Sequence, residues 1–332
     1  MRLLVTGAAG FIGSNFGRYW LARHPGDHVV ALDLLTYAGD RRNLDGIDGS
    51  LVFVEGDIGD LELGERLLAD EGIDVVVNFA AESHNSLAVV EPARFFRTNV
   101  IGTQTLLEAA RRAGVARFHH VSTCEVYGDL PLDADDAFTE ESPYRPRTPY
   151  NASKAGADHA VRAYFETFGL PVTITNCSNN YGPRQFPEKV IPLFITNALD
   201  DRELPLYAST SNRREWLHVD DHCRAIELVL LHGREGETYN VGSGVERSIA
   251  ELADAVLALT GKPETLKAIV PDRPGHDRRY LLDSTKVRRE LGWAPQVGIE
   301  EGLRAAVDWY RANRAWWEPL RERALVSETA WS

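Results

Sequence analysis

The sequence predicts an α/β protein in which a doubly wound, parallel sheet is accompanied by a smaller, interleaved C-terminal lobe. Two observations predict this class. Short apolar runs rich in β-branched residues recur along the first half of the chain, and segments with apolar residues three and four positions apart separate them. Apolar runs of this kind are typical of strands buried on both faces, and alternation of strand and helix is typical of a parallel sheet.

The individual elements follow from these two patterns in chain order. Strands are expected at residues 3–5, 29–32, 51–54, 75–79, 118–121 and 172–175. Helices are expected at residues 12–22, 61–69, 93–112 and 149–168. Strands and helices that alternate in this way indicate a doubly wound sheet, which binds ligands at the carboxyl ends of its strands.

The pattern changes after about residue 176, where irregular sequence rich in proline and asparagine begins. A strand–helix pattern returns at 216–231. Because domains contain roughly 150 residues, a chain of 332 residues suits two lobes. We expect a sheet-forming lobe at 1–176 with a return segment near 216–243, and a second lobe at 177–215 and 244–325.

Charge and composition exclude several classes of protein. Lys plus Arg number 36 against 49 Asp plus Glu, and the resulting net charge of −13 disfavours nucleic acid as a partner. Neither a leader pattern nor an apolar run of about 18 residues is present, so we expect no membrane insertion. The three cysteines (Cys124, Cys177 and Cys223) are too few for a disulfide framework, which favours a reducing cytoplasm.

A glycine-rich turn, TGAAGFIG, joins the first predicted strand to the first predicted helix. Glycine lets the backbone approach a pyrophosphate, whose negative charge is favoured at a helix N-terminus. Asp33 ends the second predicted strand about 20 residues after this turn, where a carboxylate binds a ribose diol and repels a 2′-phosphate. This Rossmann pattern predicts NAD as the cofactor. The residues predicted to bind it here are Gly7, Gly10, Phe11, Ile12, Gly13 and Asp33.

Asp57 and Ile58 follow the third predicted strand, at the same edge of the sheet. One interpretation is that they flank the adenine of the cofactor. The other is that Asp57 is the N-cap of the next helix, since aspartate is a favoured residue at that position. The sequence leaves both interpretations open.

Tyr150 and Lys154 are four residues apart and therefore share one face of a predicted helix. An ammonium group next to a phenol lowers the pKa of the phenol, so that a tyrosinate can remove a hydroxyl proton while hydride leaves for NAD. Thr123 ends a buried strand and is expected to hydrogen-bond the same hydroxyl. These three residues predict a site for hydride transfer.

Several longer stretches carry a specific resemblance. They are DLLTYAG (33–39), AAESH (80–84), TNVIGTQTLLEAA (98–110), STCEVYG (122–128), PYNASKA (149–155), NNYGPRQFPEKVIPL (179–193), RREWLHVDDHCRAI (213–226) and DRPGHDRRY (272–280). On these stretches the chain resembles the extended short-chain dehydrogenase/reductase family over nearly its whole length. Within that family it is most similar to the nucleotide-sugar dehydratases of the dTDP-glucose 4,6-dehydratase type.

The resemblance implies a three-step reaction on a bound nucleotide-diphosphate hexose. Tyr150, assisted by Lys154 and Thr123, would deprotonate the C4 hydroxyl as NAD takes hydride. Glu125 would then remove the C5 proton while the C6 hydroxyl leaves as water. Return of hydride to C6 would give a 4-keto-6-deoxy sugar, so the enzyme would be a lyase without net redox change.

The resemblance also implies binding residues and an assembly. Ala80 would contact the cofactor, and no metal is expected. The residues that match substrate-binding positions are Ser83, His84, Asn179, Asn180, Glu188, Lys189, Arg214 and Arg279. Among them, Asn179 and Glu188 would contact the sugar, and His84 would support the site. A homodimer would form through the helices predicted at 93–112 and 149–168.

The chain departs from the dehydratase pattern in two places. Cys124 stands where the dehydratases have the aspartic acid that protonates the C6 oxygen, and a thiol with a pKa near 8.5 is a much weaker acid. Asn85-Ser86-Leu87-Ala88 replaces their Val-Asp-Arg-Ser. Because the Cys-Glu pair is similar to that of UDP-GlcNAc 5,6-dehydratases, a 5,6-dehydratase or a 4-epimerase is an alternative. A non-catalytic NAD-binding sensor is the alternative from another class of protein.

Overall fold

The computed structural model describes residues 1–272, 274–321 and 323. The strands are β1 (Arg2–Thr6), β2 (His28–Asp33), β3 (Ser50–Glu55), β4 (Val75–Asn78), β5 (Arg117–Thr123), β6 (Val172–Cys177), β7 (Asn179–Tyr181), β8 (Leu204–Tyr207), β9 (Arg213–His218), β10 (Thr238–Val241), β11 (Glu246–Ser248) and β12 (Lys267–Val270). The helices are α1 (Phe11–Arg23), α2 (Leu61–Asp70), α3 (Asn85–Val90), α4 (Pro92–Phe95), α5 (Thr103–Ala113), α6 (Pro149–Phe168), α7 (Val190–Leu199), α8 (Val219–His232), α9 (Ile249–Thr260), α10 (Thr285–Leu291), α11 (Ile299–Ala312) and α12 (Arg314–Arg321).

The main sheet of the described chain contains seven strands in the order β10-β6-β5-β4-β1-β2-β3, and every pair in it is parallel. The chain runs outward from β1 to β3 and then returns to place β4 on the other side of β1. A crevice therefore opens at the carboxyl ends of β1 and β4, where the direction of winding reverses. The predicted doubly wound, parallel α/β fold is confirmed.

Helices bury apolar side chains on both faces of this sheet. One face packs against α1 and α8 around Phe16, Trp20 and Ile226. The other packs against α2, α5 and α6 around Leu107 and Val161. This double cover explains why the strands consist of apolar runs rather than alternating apolar and polar residues.

Two elements differ from the sequence prediction. The helix expected at 93–112 is divided into α4, a π-helical segment (Phe96–Gly102) and α5. The strand–helix pattern at 216–231 corresponds to β9 and α8, but it is β10 rather than β9 that joins the main sheet. Hydrogen-bond partners decide which sheet a short strand joins, and the pattern of apolar residues does not reveal these partners.

The remaining strands form two small sheets next to the main one. β9 lies between β7 and β11, and β8 pairs with β12. Helices α7, α9 and α11 share a separate apolar core that includes Phe194, Leu257 and Tyr310. Arg273 and the expected end of the second lobe at 325 lie outside the described residues.

Candidate active site

A cleft of about 340 Å³ lies at the carboxyl ends of the strands of the main sheet. Most of the site residues predicted from the sequence line this cleft. These are Gly7, Gly10, Phe11, Ile12, Gly13, Asp33, Asp57, Ile58, Ala80, Ser83, Thr123, Glu125, Tyr150, Lys154, Asn179, Asn180, Glu188 and Lys189. Four other site residues predicted from the sequence do not line the cleft: His84, Cys124, Arg214 and Arg279.

The glycine turn forms one end of the cleft. Gly7 has a φ of +63°, and a Cβ there would lie 2.7 Å from the backbone nitrogen of Ala80. A Cβ on Gly13 would lie 2.3 Å from the carbonyl oxygen of Gly7, so these two glycines are required for packing. Gly10 also lines the cleft, at the N-cap of α1, whose first turn carries no acidic residue. The backbone and the helix N-terminus thus offer an uncompensated positive field that fits a diphosphate.

Asp33 lies at the end of β2 with its carboxylate fixed by two backbone donors. Ala9 N–H donates to Oδ2 at 2.9 Å, and Leu35 N–H donates to Oδ1 at 2.8 Å. Burial raises the pKa of Asp33, although these backbone hydrogen bonds oppose the shift. The carboxylate is positioned beside the glycine turn, as binding of a ribose diol requires.

Asp57 does not cap the helix that follows it. The N-cap of α2 is Asp60, whose side chain accepts a hydrogen bond from Leu63 N–H at 3.0 Å. Asp57 accepts from Gly59 N–H at 2.8 Å and lines the cleft together with Ile58. The N-cap interpretation was therefore wrong, and the position beside an adenine stays a prediction.

Tyr150 and Lys154 lie in the first two turns of α6. This helix starts at Pro149, and the Thr148 side chain caps it by accepting a hydrogen bond from Asn151 N–H at 3.2 Å. Proline at the first helical position and threonine at the N-cap both favour a helix start here. The two site residues are consequently held on a rigid element against β5.

The ionisation of Tyr150 depends mainly on its surroundings in the fold. Burial raises the pKa of Tyr150 well above its usual value, and the nearby Glu125 adds to the increase. A hydrogen bond with Thr123 opposes it. The ammonium of Lys154 instead donates to Val121 O at 2.8 Å and lies 3.2 Å from Nε2 of His120. Because the lysine is directed at these other partners, the lowering of the phenol pKa by Lys154 stays a prediction.

A buried polar network that the sequence analysis did not identify surrounds Lys154. Nε2 of His120 lies 3.5 Å from a carboxylate oxygen of Asp158, whose other oxygen accepts from Ser122 and Tyr144 at 2.9 Å each. Burial lowers the pKa of Lys154, and the Asp158 carboxyl opposes this. Asp158 follows Lys154 by four residues on α6, and this spacing was the available sequence signal.

Thr123 and Glu125 lie at the turn after β5. Thr123 Oγ1 accepts a hydrogen bond from Glu125 N–H at 3.2 Å, which starts a short 3₁₀ turn and directs Glu125 into the cleft. Asn85 Nδ2 donates to Glu125 Oε2 at 3.4 Å. A hydroxyl, a phenol and a carboxylate thus meet in one cleft, which suits proton transfer to and from adjacent carbons of a substrate.

Cys124 lies behind this turn rather than in the cleft. It belongs to an apolar cluster with Val126, Tyr127, Tyr280 and Leu282. Burial raises the pKa of the thiol well above its usual value, and the neighbouring Glu125 adds to the shift. The thiol is therefore a still weaker acid than the sequence analysis assumed, which argues against proton donation by Cys124.

Side chains from three separate segments meet around Glu188. The phenol of Tyr37 donates to Glu188 Oε1 at 2.9 Å, and Lys189 Nζ lies 3.2 Å from the same oxygen. Lys189 also donates to the carbonyl of Ser83 at 2.7 Å. His84 caps α3 and places Nε2 3.4 Å from Glu188 Oε2, so it contacts the lining from behind. The sequence analysis did not identify Tyr37 as a site residue, although Tyr37 lies within the DLLTYAG stretch (33–39).

Asn179 and Asn180 reach the cleft from β7. Asn180 Oδ1 lies 3.0 Å from Nδ1 of His222, and its amide donates to Ser178 O at 2.9 Å. Oδ1 of Asn179 has no hydrogen-bond partner within the described part of the chain. Asn179 therefore offers an acceptor for a polar ligand, whereas Asn180 is already held by its neighbours.

Arg214 and Arg279 are buried, and both bind protein groups. Arg214 donates to the carbonyls of Asp277 and Arg278 at 2.6 and 3.1 Å and lies over the ring of Tyr280. Arg279 forms a two-pronged ion pair with Glu246 at 2.7 and 2.8 Å. Their expected contact with a diphosphate stays a prediction.

The described residues contain no group of three or more His, Cys, Asp or Glu side chains arranged to hold a metal ion. None of the helices that the structure describes combines the length and the apolar composition that a membrane crossing requires.

Comparison with known proteins was decisive for the family. The family model described as GDP-mannose 4,6 dehydratase matches residues 4–306. The chain belongs to this dehydratase family. A dTDP-glucose 4,6-dehydratase from Streptomyces niveus is 51% identical over 327 residues, which cover 97% of this chain and 96% of that protein. The family predicted from the sequence is confirmed.

Solved structures of dehydratases and epimerases have the same fold. A dTDP-glucose 4,6-dehydratase from Streptomyces venezuelae, crystallised with NAD bound, is 53% identical with a TM-score of 0.93, covering 97% of this chain and 100% of that one. A UDP-glucose 4-epimerase from Thermotoga maritima is 31% identical with a TM-score of 0.88, covering 95% and 100%. The fold is thus shared with epimerases, while the sequence is considerably closer to the dehydratases.

Proposed function

We propose that this protein is an NAD-dependent hydro-lyase that converts dTDP-glucose to its 4-keto-6-deoxy derivative. The observation that carries the proposal is a single cleft with two chemically distinct ends. The glycine turn and Asp33 form one end, and Thr123, Glu125 and Tyr150 form the other. The dehydratase relatives at about half identity over nearly the full chain support the same reaction.

The cofactor end fits NAD on its own geometry. Gly10 has no Cβ to obstruct a pyrophosphate, α1 presents its N-terminus, and the Asp33 carboxylate is fixed beside them. A carboxylate in this position disfavours the 2′-phosphate of NADP. Bound NAD supplies reversible hydride acceptance, which oxidises C4 and later reduces C6 of the sugar.

The protein groups supply the proton transfers. Tyr150 takes the proton of the C4 hydroxyl, with Thr123 hydrogen-bonded to the phenol and the Lys154 ammonium nearby on the same helix. The resulting C4 ketone makes the C5 proton acidic, and Glu125 removes it. Because Cys124 is buried away from the cleft, we assign the next transfer to Glu125 as well: it gives the C5 proton to the C6 oxygen, which leaves as water.

Proton balance closes over the cycle. Water leaves with the C6 oxygen, the original C6 hydroxyl proton and the proton carried from C5. C5 is reprotonated when C6 receives hydride, and this proton replaces the one that Tyr150 took from the C4 hydroxyl. The sugar therefore loses one water without net oxidation.

The remaining site residues are assigned to the substrate. We propose that Asn179 and Glu188 contact the sugar, that Asn180 and Lys189 contact the diphosphate or nucleoside, and that Ser83 and His84 hold this part of the lining. Arg214 and Arg279 would serve the diphosphate only after exchanging their present carbonyl and Glu246 contacts. Asp57, Ile58 and Ala80 are assigned to the cofactor.

The proposal extends to the two lobes, the assembly and the location of the protein. The NAD-binding lobe comprises 1–176 with the return segment near 216–243, and the substrate lobe comprises 177–215 and 244–325. A homodimer is supported by exposed apolar side chains on adjoining helical segments, namely Val90, Phe96, Ile101 and Phe168. A cytoplasmic location is supported by three cysteines that are all free and buried.

The test is a substrate panel. The protein is incubated with dTDP-glucose, UDP-glucose and UDP-GlcNAc, and the products are identified by mass spectrometry and NMR. We expect loss of one water from dTDP-glucose and a 4-keto-6-deoxy product. An exocyclic alkene would indicate a 5,6-dehydratase, inversion at C4 an epimerase, and NAD binding without turnover a sensor; each of these results contradicts the proposal.

A further inference from the structure

Asn85 is the first residue of α3 and lines the cleft beside Glu125 and Tyr150. Its position is fixed by the cap at His84, whose Nδ1 accepts a hydrogen bond from Leu87 N–H at 3.4 Å. The side chain therefore extends from a defined helix start rather than from an open loop. None of the site roles given above involves its carbonyl group.

The contact with Glu125 determines which way the amide faces. A carboxylate oxygen only accepts hydrogen bonds, so the group 3.4 Å from Glu125 Oε2 is the NH₂ of Asn85. The opposite orientation would set two oxygen acceptors against each other. The carbonyl oxygen of the amide consequently points away from Glu125.

That carbonyl oxygen, Oδ1 of Asn85, is buried and has no hydrogen-bond partner among the residues that the structure describes. An unpaired buried acceptor costs free energy, and a hydrogen bond from a ligand hydroxyl would remove that cost. Oδ1 belongs to a cleft residue next to the proposed base for C5. When C5 is deprotonated C4 is already a ketone, so C6 is the carbon bonded to C5 that still carries a hydroxyl.

We infer that Asn85 is a positioning residue for dehydration: its NH₂ group holds Glu125 as a carboxylate, and its carbonyl oxygen accepts a hydrogen bond from the C6 hydroxyl of the hexose. This inference rests on the proposed function. Valine occupies this place in the motif that the chain resembles, and a valine side chain can make neither contact. The departure at position 85 and the loss of an acid at position 124 are thereby linked, because both bear on how the C6 oxygen is held when it leaves.

The first experiment measures pH profiles of kcat and kcat/KM for dTDP-glucose in Asn85→Leu and Asn85→Asp. Leucine removes both polar contacts at similar size, so we expect kcat/KM to fall about tenfold and the acidic limb to move to higher pH, because the carboxylate of Glu125 loses a donor. Aspartate places a second negative charge beside Glu125 and should move the limb further. The neighbouring Ser86→Ala, which lies outside the cleft lining, is the control.

The second experiment identifies the hydroxyl. Binding of dTDP-glucose and of dTDP-6-deoxyglucose is measured by calorimetry in the Tyr150→Phe background, which prevents turnover. We expect Asn85→Leu to weaken dTDP-glucose binding about fivefold and to leave binding of the 6-deoxy compound unchanged.

The outcomes separate this inference from the proposed function. If the unmutated protein gives no dehydration product, the proposed function fails. If it turns over normally while Asn85→Leu keeps the wild-type acidic limb, the contact with Glu125 carries no function and the inference fails. Equal weakening for both ligands would likewise contradict the assignment to the C6 hydroxyl.

Discussion

Burial changes the chemistry available to Tyr150 and Cys124. Both side chains are almost fully buried, and burial raises the pKa of each because charge is disfavoured away from water. Tyr150 therefore needs nearby positive charge to become a base. The raised pKa makes the Cys124 thiol a weaker proton donor.

Replacement of Cys124 by alanine should leave kcat within about threefold of wild type, because proton delivery to the C6 oxygen does not depend on a thiol outside the cleft. The measurement is steady-state dehydration of dTDP-glucose. Cys223→Ala, at another buried thiol outside the cleft lining, is the matched comparison for packing loss. A kcat about a hundredfold lower in Cys124→Ala would indicate that Cys124 protonates the C6 oxygen.

Asp158→Asn should shift the alkaline limb of the kcat/KM profile to lower pH by about one unit. Burial lowers the pKa of Lys154 and the Asp158 carboxyl opposes this, so its removal leaves burial unopposed. The ammonium is then lost at a lower pH. Glu166→Gln, an exposed residue on the same helix, is the control. An alkaline limb that does not move would show that Asp158 has no influence on Lys154.

At the residue scale, the sequence predicted which side chains share the cleft, but it did not predict the hydrogen-bond partners of each side chain. Spacing on α6 was enough to place Tyr150 and Lys154 in one cleft. The partners of Lys154 were not predictable, because Val121 O and His120 come from a strand that is distant in sequence. The apolar surroundings of Cys124 depend on Tyr280 and Leu282, which are more distant still.

At the scale of elements, the turn between β1 and α1 combines a structural and a binding requirement. Gly7 has a positive φ and no space for a Cβ, whereas Gly46 has a positive φ of similar size and open space around it. The two positions therefore separate the cost of backbone strain from the cost of a steric clash.

We predict that Gly7→Ala lowers the free energy of unfolding by more than about 2 kcal/mol, and that Gly46→Ala lowers it by about 1 kcal/mol. A Cβ on Gly7 meets the backbone of Phe79 and Ala80, which cannot rotate away as a side chain could. Urea denaturation of both variants measures the difference. Equal losses would indicate that the turn is not tightly packed against the segment after β4.

The six strands predicted from apolar runs are β1 to β6 of the main sheet. The prediction agrees with the structure for these strands because both faces of the sheet are buried, which requires a continuous run of apolar residues in each strand. β10 has only four residues, so its run is too short to distinguish from a loop. The π-helical segment was likewise not predictable, because its apolar spacing over a few residues resembles that of an α-helix.

At the scale of the whole molecule, the exposed apolar side chains are unevenly placed. Ile101 in the π-helical segment is 57% exposed, and it lies on the helical layer that we propose as the dimer interface. Ile269 is 66% exposed on β12, away from that layer. These two isoleucines allow a matched test of assembly.

Ile101→Glu should convert a dimer into a monomer, because a charge buried in an interface without a partner is strongly unfavourable. Ile269→Glu should leave the assembly unchanged. Analytical ultracentrifugation of wild type and both variants gives the answer. A wild-type protein that sediments as a monomer, or an Ile101→Glu variant that remains a dimer, would contradict the proposed interface.

In the proposed reaction one cleft oxidises C4, eliminates water across C5 and C6, and returns the same hydride to C6. The most direct measurement uses dTDP-glucose carrying deuterium at C4 and follows the label by NMR and mass spectrometry. We predict a 4-keto-6-deoxy product with the deuterium at C6. Deuterium that stays at C4, or that is lost to solvent, would contradict the account.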